Sequence, residues 1–172
     1  MDAEALRAVQ APLKNRYRED PDTARITARA EARLDRTDVA VTIPAWHGAT
    51  VAGLHPAAGG DGSQACSADM LLEALVACAG VTLRAVATAM GIALRGGRVV
   101  AEGFWDARGT LGVDRAAPVG ITDIKLTFEL DTDAEPAKVE RLIASAERYC
   151  VILQTLRTPP RVAVTRGTPA VA

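Results

Sequence analysis

The sequence has few aromatic residues, few cysteines and no excess of charge of one sign. It contains two Trp, two Tyr and two Phe in 172 residues, and 20 basic side chains balance 21 acidic ones. This balance gives no electrostatic reason to expect a nucleic acid or an anionic membrane as partner. The three cysteines form an odd set without a Cys-x-x-Cys pair, which argues against a disulfide scaffold and a zinc ribbon. We therefore expect a reducing, cytoplasmic compartment.

The first residues also lack the apolar run of a signal peptide, because acidic side chains interrupt them. The length predicts a single domain over residues 1–172, in which the polar residues 1–22 form a docking arm with a short helix near residues 4–9. The two histidines, His47 and His55, have no Cys or Glu at metal-ligand spacing. We expect neither a metal ion nor a bound cofactor.

The chain is organised around residues 67–92, which contain no proline and are dominated by Ala, Leu, Met, Glu and Arg. This composition predicts a long helix, with Ser67 available to cap its start and Gly91 to end it. Its surface is apolar except for a narrow seam at Glu73 and Arg84, which predicts a buried helix rather than a membrane span. Cys78 lies midway along it.

The flanking patterns predict an α+β fold with an antiparallel sheet in the order βββ-α-ββ-α-β. A second amphipathic helix, with Asp131 and Asp133 as possible caps and Pro136 in its first turn, carries Cys150 on its apolar stripe and runs on to Leu153. The predicted strands cover residues 26–34, 39–43, 49–54, 98–105, 121–131 and 161–165.

Cys78 and Cys150 thus lie on apolar faces of the two main helices, which leaves two interpretations. Each is a good small core residue, and a thiol surrounded by hydrocarbon is unreactive unless a cation lies near it. Alternatively, the two form a redox pair, which requires that the two helices meet. Cys66, just before the first helix, is either an incidental thiol or an alternative partner for Cys78.

Two segments resemble a known family. LLEALVACAGVTLRAVATAMGI, preceded by a Gly-Gly-Asp loop, is similar to the signature helix of the osmotically inducible protein C and organic hydroperoxide resistance (OsmC/Ohr) family, and IASAERYCVILQTL resembles its second cysteine region. The resemblance implies an intertwined homodimer whose central helices are covered by the partner subunit. It also implies an apolar hydroperoxide as substrate, a sulfenic acid at Cys78, a disulfide closed by Cys150 and an external dithiol as reductant.

The chain departs from that family's pattern around the implied site. Where the family's peroxidases carry a Pro-Glu pair that orients a catalytic arginine, this chain has Ser67 and Ala68, followed by Asp69. Arg33 and Arg36 are the candidates for the arginine. Two functions follow: thiol-dependent reduction of organic hydroperoxides with Cys78, Cys150 and Asp69 at the site, or a non-catalytic dimer that binds a small apolar ligand and keeps its cysteines structural.

Overall fold

The structure, a computed structural model, describes residues 1–45 and 48–167. Trp46, expected in the core or a dimer interface, and His47, expected in a loop, lie outside the described residues. The helices and strands, in chain order, are α1 (Ala3–Glu19), β1 (Ala40–Ile43), β2 (Thr50–Gly53), β3 (Ala65–Cys66), α2 (Ser67–Met90), β4 (Gly96–Phe104), α3 (Ala107–Thr110), β5 (Thr122–Asp131), α4 (Pro136–Tyr149) and α5 (Val151–Arg157).

The N-terminal arm is more regular than the sequence predicts. Asp2 accepts a hydrogen bond from the Ala5 amide at 2.8 Å and caps α1, which then continues through Pro12 instead of ending before it. An interior proline removes one backbone hydrogen bond and disfavours a helix. Contact between α1 and α2 provides compensating packing, although no residue of α1 is fully buried. The expected short helix near residues 4–9 is therefore wrong in extent.

The first three strands form a small sheet in the order β1-β2-β3. β1 and β2 lie where strands are predicted, at residues 39–43 and 49–54, but the expected hairpin partner of residues 39–43 was the stretch 26–34, and β1 pairs antiparallel with β2 instead. The short β3 lies parallel to β2 and was not predicted. The strand predicted at residues 26–34 is wrong: this exposed stretch makes one isolated bridge, Arg33 to Thr42. The bridge lies on the free edge of β1, but the alternating apolar positions of this stretch are mostly alanine and bury little surface there.

Helix α2 is present where the sequence predicts it. Gly91, at φ 67°, adopts the left-handed conformation and its amide bonds to carbonyls of the last turn, as expected for a helix-ending glycine. Ser67 is not the cap, because the helix begins at Ser67 itself and Cys66 occupies the capping position without a side-chain hydrogen bond. Among the described residues α2 is long and apolar enough to cross a membrane by length and composition, a test that core helices also pass.

One stripe of α2 forms the core. Its buried residues recur every four positions and face α4, α5 and the two-stranded antiparallel sheet β4-β5. Leu83 and Ala87 pack with Leu142 and Ala146 of α4. The four buried residues of this stripe are Leu75, Ala79, Leu83 and Ala87.

The second predicted helix is divided into two at Cys150. The backbone of Cys150 is extended (φ −76°, ψ 108°), so the residue ends α4 and caps the start of α5. The predicted caps of α4 are also wrong: Asp131 accepts a hydrogen bond from the Arg95 guanidinium at 3.0 Å, and Glu135 occupies the capping position. Pro136 stands in the first turn, as expected.

The final strand predicted at residues 161–165 is wrong, because the structure leaves this stretch extended, exposed and outside any sheet. Likewise, β4 ends at Phe104, before Trp105, and a short helix, α3, follows it. The α+β class is confirmed, with five strands and a central helix in the described chain. Of the two stretches that fail as strands, residues 26–34 make only the Arg33–Thr42 bridge and residues 161–165 pair with no described strand.

Candidate dithiol site

The structure brings Cys78 of α2 and Cys150 together. Cys150 is fully buried in a cluster with Leu75 and Ala79, and Cys78 packs against the same cluster. Both cysteines are free thiols, and each thiol perturbs the pKa of the other. The contact depends on the break in the second helix, since the extended residue Cys150 turns the chain so that α5 lies against α2.

The surroundings of Cys78 stabilise its thiolate. Partial burial, the largest single influence, raises the pKa of the thiol, but hydrogen bonds to the sulfur outweigh it and leave the pKa below its ordinary value. The donors are the amides of Ile152 and Val151, the Cys150 thiol and the hydroxyl of Thr82. A cysteine in hydrocarbon alone would show the opposite shift, so these contacts distinguish Cys78 from a merely structural core residue.

Cys150 is perturbed in the opposite direction. Burial raises the pKa of its thiol, and the neighbouring Cys78 raises it further, whereas the amides of Leu153 and Ile152 act against these effects. The Leu153 amide donates to the Cys150 sulfur at 3.5 Å. Cys78 therefore loses its proton more readily than an ordinary cysteine, and Cys150 holds its proton more tightly. The two cysteines therefore differ in how readily they ionise, although their side chains are identical.

Access to the two sulfurs differs as well. Cys150 has no exposed surface, whereas Cys78 is half-buried on a side of α2 where Ala74, Ala77 and Val81 are exposed. A molecule that approaches from this side meets Cys78 first. The exposed residues around it are apolar, so the approach favours an apolar molecule over a strongly hydrated one.

The candidate charged residues lie away from Cys78 in the same chain. Arg36 forms a two-pronged ion pair with Asp38 at 2.7 Å, and Arg33 lies 3.7 Å from Glu31. Asp69, in the first turn of α2, is nine residues from Cys78, or roughly 14 Å along a helix with about 1.5 Å rise per residue. Within the part of the chain that is described, no arginine is among the groups that shift the pKa of Cys78.

Cys66 is separated from Cys78 and Cys150 by about half the length of α2. It lies twelve positions before Cys78, a distance of roughly 18 Å along the helix. A disulfide requires Cα atoms within about 7 Å, so Cys66 cannot bridge to Cys78 in one chain while α2 stays folded. The alternative in which Cys66 resolves an oxidised Cys78 within its own chain is inconsistent with this geometry.

Sequence reasoning missed the donors that surround Cys78. Thr82 follows Cys78 by four positions, a spacing that places two side chains on one helix face, and this signal was available from the sequence. The Val151 and Ile152 amides are free to donate only because the second helix stops at Cys150, and the apolar periodicity across that break gives no sign of it. Among the described residues no group of three or more metal-ligating side chains occurs.

The described chain is an α+β protein with two neighbouring cysteines at the central helix, and comparisons with known proteins agree with the fold. The family described as "OsmC-like protein" matches residues 60–165. The chain therefore belongs to the OsmC-like family. The match contains both cysteines of the site and leaves α1 outside it.

Solved structures share the fold at low sequence identity. An OsmC-like protein from Mycoplasma pneumoniae is 19% identical with a TM-score of 0.65, over 78% of this chain and 89% of that chain. A hypothetical protein from Aquifex aeolicus VF5 is 14% identical with a TM-score of 0.60, over 78% and 90%. A Legionella pneumophila protein described as an organic hydroperoxide resistance protein, OsmC, is 18% identical with a TM-score of 0.56, over 77% and 90%. No curated protein matched the sequence.

Proposed function

We propose that this protein reduces organic hydroperoxides with thiols, through a sulfenic acid at Cys78 that Cys150 resolves. The observation that carries the proposal is the contact between a half-buried thiol of lowered pKa and a buried thiol of raised pKa. Peroxide reduction by cysteine needs a thiolate that the peroxide can reach and a second thiol close enough to trap the product. Cys78 meets the first need and Cys150 the second.

In the first step the Cys78 thiolate attacks the outer oxygen of the hydroperoxide. A sulfur–oxygen bond forms, the O–O bond breaks, and its electron pair leaves on the alkoxide, which takes a proton from water. Cys78 is oxidised to the sulfenic acid, and the hydroperoxide is reduced to an alcohol. The amides of Val151 and Ile152 and the Thr82 hydroxyl hold the thiolate before the attack.

In the second step the Cys150 sulfur attacks the sulfenic sulfur of Cys78. The disulfide forms, and the hydroxyl group leaves as water together with the Cys150 proton. The packing of Cys78 against the buried cluster that contains Cys150 supports this step, because it places the two residues side by side before oxidation. An external dithiol then reduces the disulfide by thiol–disulfide exchange.

The description of the Legionella pneumophila neighbour as an organic hydroperoxide resistance protein supports the choice of substrate class. The apolar residues around Cys78 support it independently, because an alkyl or aryl hydroperoxide gains from contact with Ala74 and Val81 and hydrogen peroxide does not. We propose fatty or aryl hydroperoxides as the preferred substrates.

We further propose that the protein works as a homodimer. Val81 is 72% exposed on a helix of otherwise core-like composition, and apolar side chains in residues 26–34 and 161–165 are exposed too. Extended segments of this kind leave backbone groups free to pair with a sheet edge of another chain. A second copy would cover α2 and offer such edges.

The dimer also bears on the charged residues near the start of α2. Arg36 and Ser67 line one surface cavity, and Asp69 lies in the same first helical turn. Because this end of the helix is too far from Cys78 of its own chain, Arg36 or Asp69 can act only at the Cys78 of a partner subunit. Their proposed role therefore depends on the dimer.

Turnover of cumene hydroperoxide with a dithiol reductant tests the function. We expect Cys78→Ser to abolish turnover and Cys150→Ser to stop it after one sulfenic acid per chain, detected with a dimedone-type probe. Cys66→Ser is the matched control and should retain turnover. A reduced wild-type protein that consumes no hydroperoxide would contradict the proposal and favour the ligand-binding alternative with structural cysteines.

A further inference from the structure

A cavity with a thiol in its wall lies at the start of α2. It has a volume of about 340 Å³ and is separated from the dithiol by roughly 18 Å of helix. Six segments of the chain meet around it, which include the end of β2, the start of α2 and the loop before β5. Its walls include Leu54, His55, Ala58, Cys66, Trp105 and Val119.

The wall of this cavity is aromatic and aliphatic with a few polar groups. The rings of His55 and Trp105 meet edge to face, with centroids 5.2 Å apart and an interplanar angle of 87°. Ser67 and Thr110 add hydroxyl groups to an otherwise apolar lining. Apolar cavities of a few hundred Å³ with a small number of polar groups are typical of small-molecule sites. The size and lining favour a compact molecule with one aromatic ring.

His55 is prepared to donate a hydrogen bond. Its Nδ1 accepts the Ala57 amide at 3.0 Å, so the neutral ring carries its proton on Nε2. Within the described residues Nε2 has no hydrogen-bond partner. A carbonyl oxygen is the complement of such a donor.

Cys66 is the nucleophile of the cavity, and its surroundings limit its chemistry. It is a half-buried free thiol with no second cysteine of its chain within reach of a disulfide. An oxidised Cys66 would therefore not be resolved within the chain. Addition of the thiol to an electrophilic carbon needs neither a second thiol nor an oxidant.

We propose that this cavity binds a compact aryl or short-chain α,β-unsaturated carbonyl compound and joins it covalently to Cys66. The sulfur forms a bond to the β-carbon, the electron pair of the carbon–carbon double bond moves to the α-carbon, and the α-carbon receives the proton that the thiol loses. Trp105 contacts the ring or chain, and the Nε2–H of His55 donates to the carbonyl oxygen. The proposal is independent of peroxide reduction at Cys78.

Competitive labelling of the reduced wild-type protein tests it, with adducts at each cysteine located by tandem mass spectrometry. Phenyl vinyl ketone and methyl vinyl ketone are the probes, and N-acetylcysteine is the reference thiol. We expect the preference of Cys66 for the aryl probe to exceed that of N-acetylcysteine at least tenfold. A preference within about twofold of the reference, or adducts at Cys78 while Cys66 stays unmodified, would overturn the proposal.

A cavity-filling variant and an unreactive competitor sharpen the test. Ala58→Leu fills the cavity and should lower the aryl rate at Cys66 at least fivefold, whereas Ala57→Leu, at an exposed neighbour outside the lining, should not. Propiophenone, which has the ring and the carbonyl group but no double bond to attack, should slow labelling of Cys66 in the wild-type protein. If Ala58→Leu fails to fold, the absence of this protection overturns the proposal by itself.

Discussion

Replacement of Thr82 tests whether hydrogen bonds to the sulfur are what lowers the pKa of Cys78. Thr82→Val keeps the shape of the side chain and removes the hydroxyl that donates to the sulfur. A hydrogen bond to a charged group contributes about 1.5–3 kcal/mol, and we take about 1 kcal/mol because Cys78 is partly exposed and three donors remain. We therefore expect the ionisation constant of Cys78 to fall about fivefold.

The effect on the reaction is smaller than the effect on ionisation. Below its pKa the thiolate fraction falls about fivefold, but a more basic thiolate is a better nucleophile, with a Brønsted coefficient of about 0.4–0.5. Sulfenic acid formation should therefore slow only about two- to threefold. Ionisation, followed by thiolate absorbance near 240 nm in a Cys66→Ser background, is the more sensitive measurement.

Thr88 supplies the matched control on the same helix. Its hydroxyl donates to the Arg84 carbonyl at 2.8 Å, one turn earlier, rather than to a sulfur. Thr88→Val should leave the ionisation of Cys78 unchanged, and Thr82→Ser should restore most of the wild-type behaviour. Equal ionisation in Thr82→Val and Thr88→Val would refute the assignment of Thr82 as a residue that positions and stabilises the thiolate.

Three further predictions concern assembly, packing and pH. Light scattering should give about twice the 18.0 kDa chain mass, and Val81→Asp should shift the protein towards monomer; a stable wild-type monomer at micromolar concentration would contradict the dimer. Leu75→Ala should lower the free energy of unfolding by about 2–5 kcal/mol in urea titrations, because Leu75 is fully buried, whereas the partly exposed Leu71→Ala should cost clearly less. The rate of sulfenic acid formation should rise with pH and level off below the ordinary cysteine pKa of about 8.5. This rise should lie at higher pH in Cys150→Ala than in Cys150→Ser, because a serine hydroxyl can still donate a hydrogen bond to Cys78.

The opposite shifts of the two thiols also set the sign of the pH dependence of stability. Because the pKa of Cys78 is lowered by folding, its contribution is present above the unfolded pKa and is lost as pH falls through the folded pKa. Because the pKa of Cys150 is raised, its contribution is present below the unfolded pKa and is lost as pH rises through the folded pKa. Urea titrations of Cys78→Ser and Cys150→Ser, measured from below to above the pKa values of the two thiols, separate the contribution of each thiol to stability.

The central helix could be predicted from the local sequence because its composition, its apolar surface and its final glycine all favour a helix. Residues 67–90 combine strong helix formers, an apolar surface and a glycine at the end, and the structure places α2 there. The second helix shows the limit of this reasoning. The apolar stripe continues past Cys150 without change, so periodicity predicts one helix, whereas the extended backbone of Cys150 divides the segment into two.

The strands could be predicted only where the same chain supplies the neighbour. Residues 39–43 and 49–54 pair with each other, whereas residues 26–34 alternate more cleanly and yet make only the single Arg33–Thr42 bridge. Alternation of apolar and polar side chains indicates a surface suited to a sheet, but it does not show that a partner strand is present. The candidate site could also be predicted only in part. The two cysteines could be chosen from their helix faces and the family resemblance. The amides of Val151 and Ile152 are free to donate because of a bend at Cys150 that no local pattern predicts.

Disulfide mapping after exposure to one equivalent of cumene hydroperoxide tests the central claim most directly. Fully reduced wild-type protein, oxidised, alkylated and digested, should contain one intrachain bridge between Cys78 and Cys150, with Cys66 alkylated. The same treatment of Cys150→Ser should leave a sulfenic acid at Cys78 and no intrachain bridge. Recovery of all three cysteines as unmodified thiols, or of a bridge that includes Cys66 in place of Cys150, would contradict the dithiol mechanism.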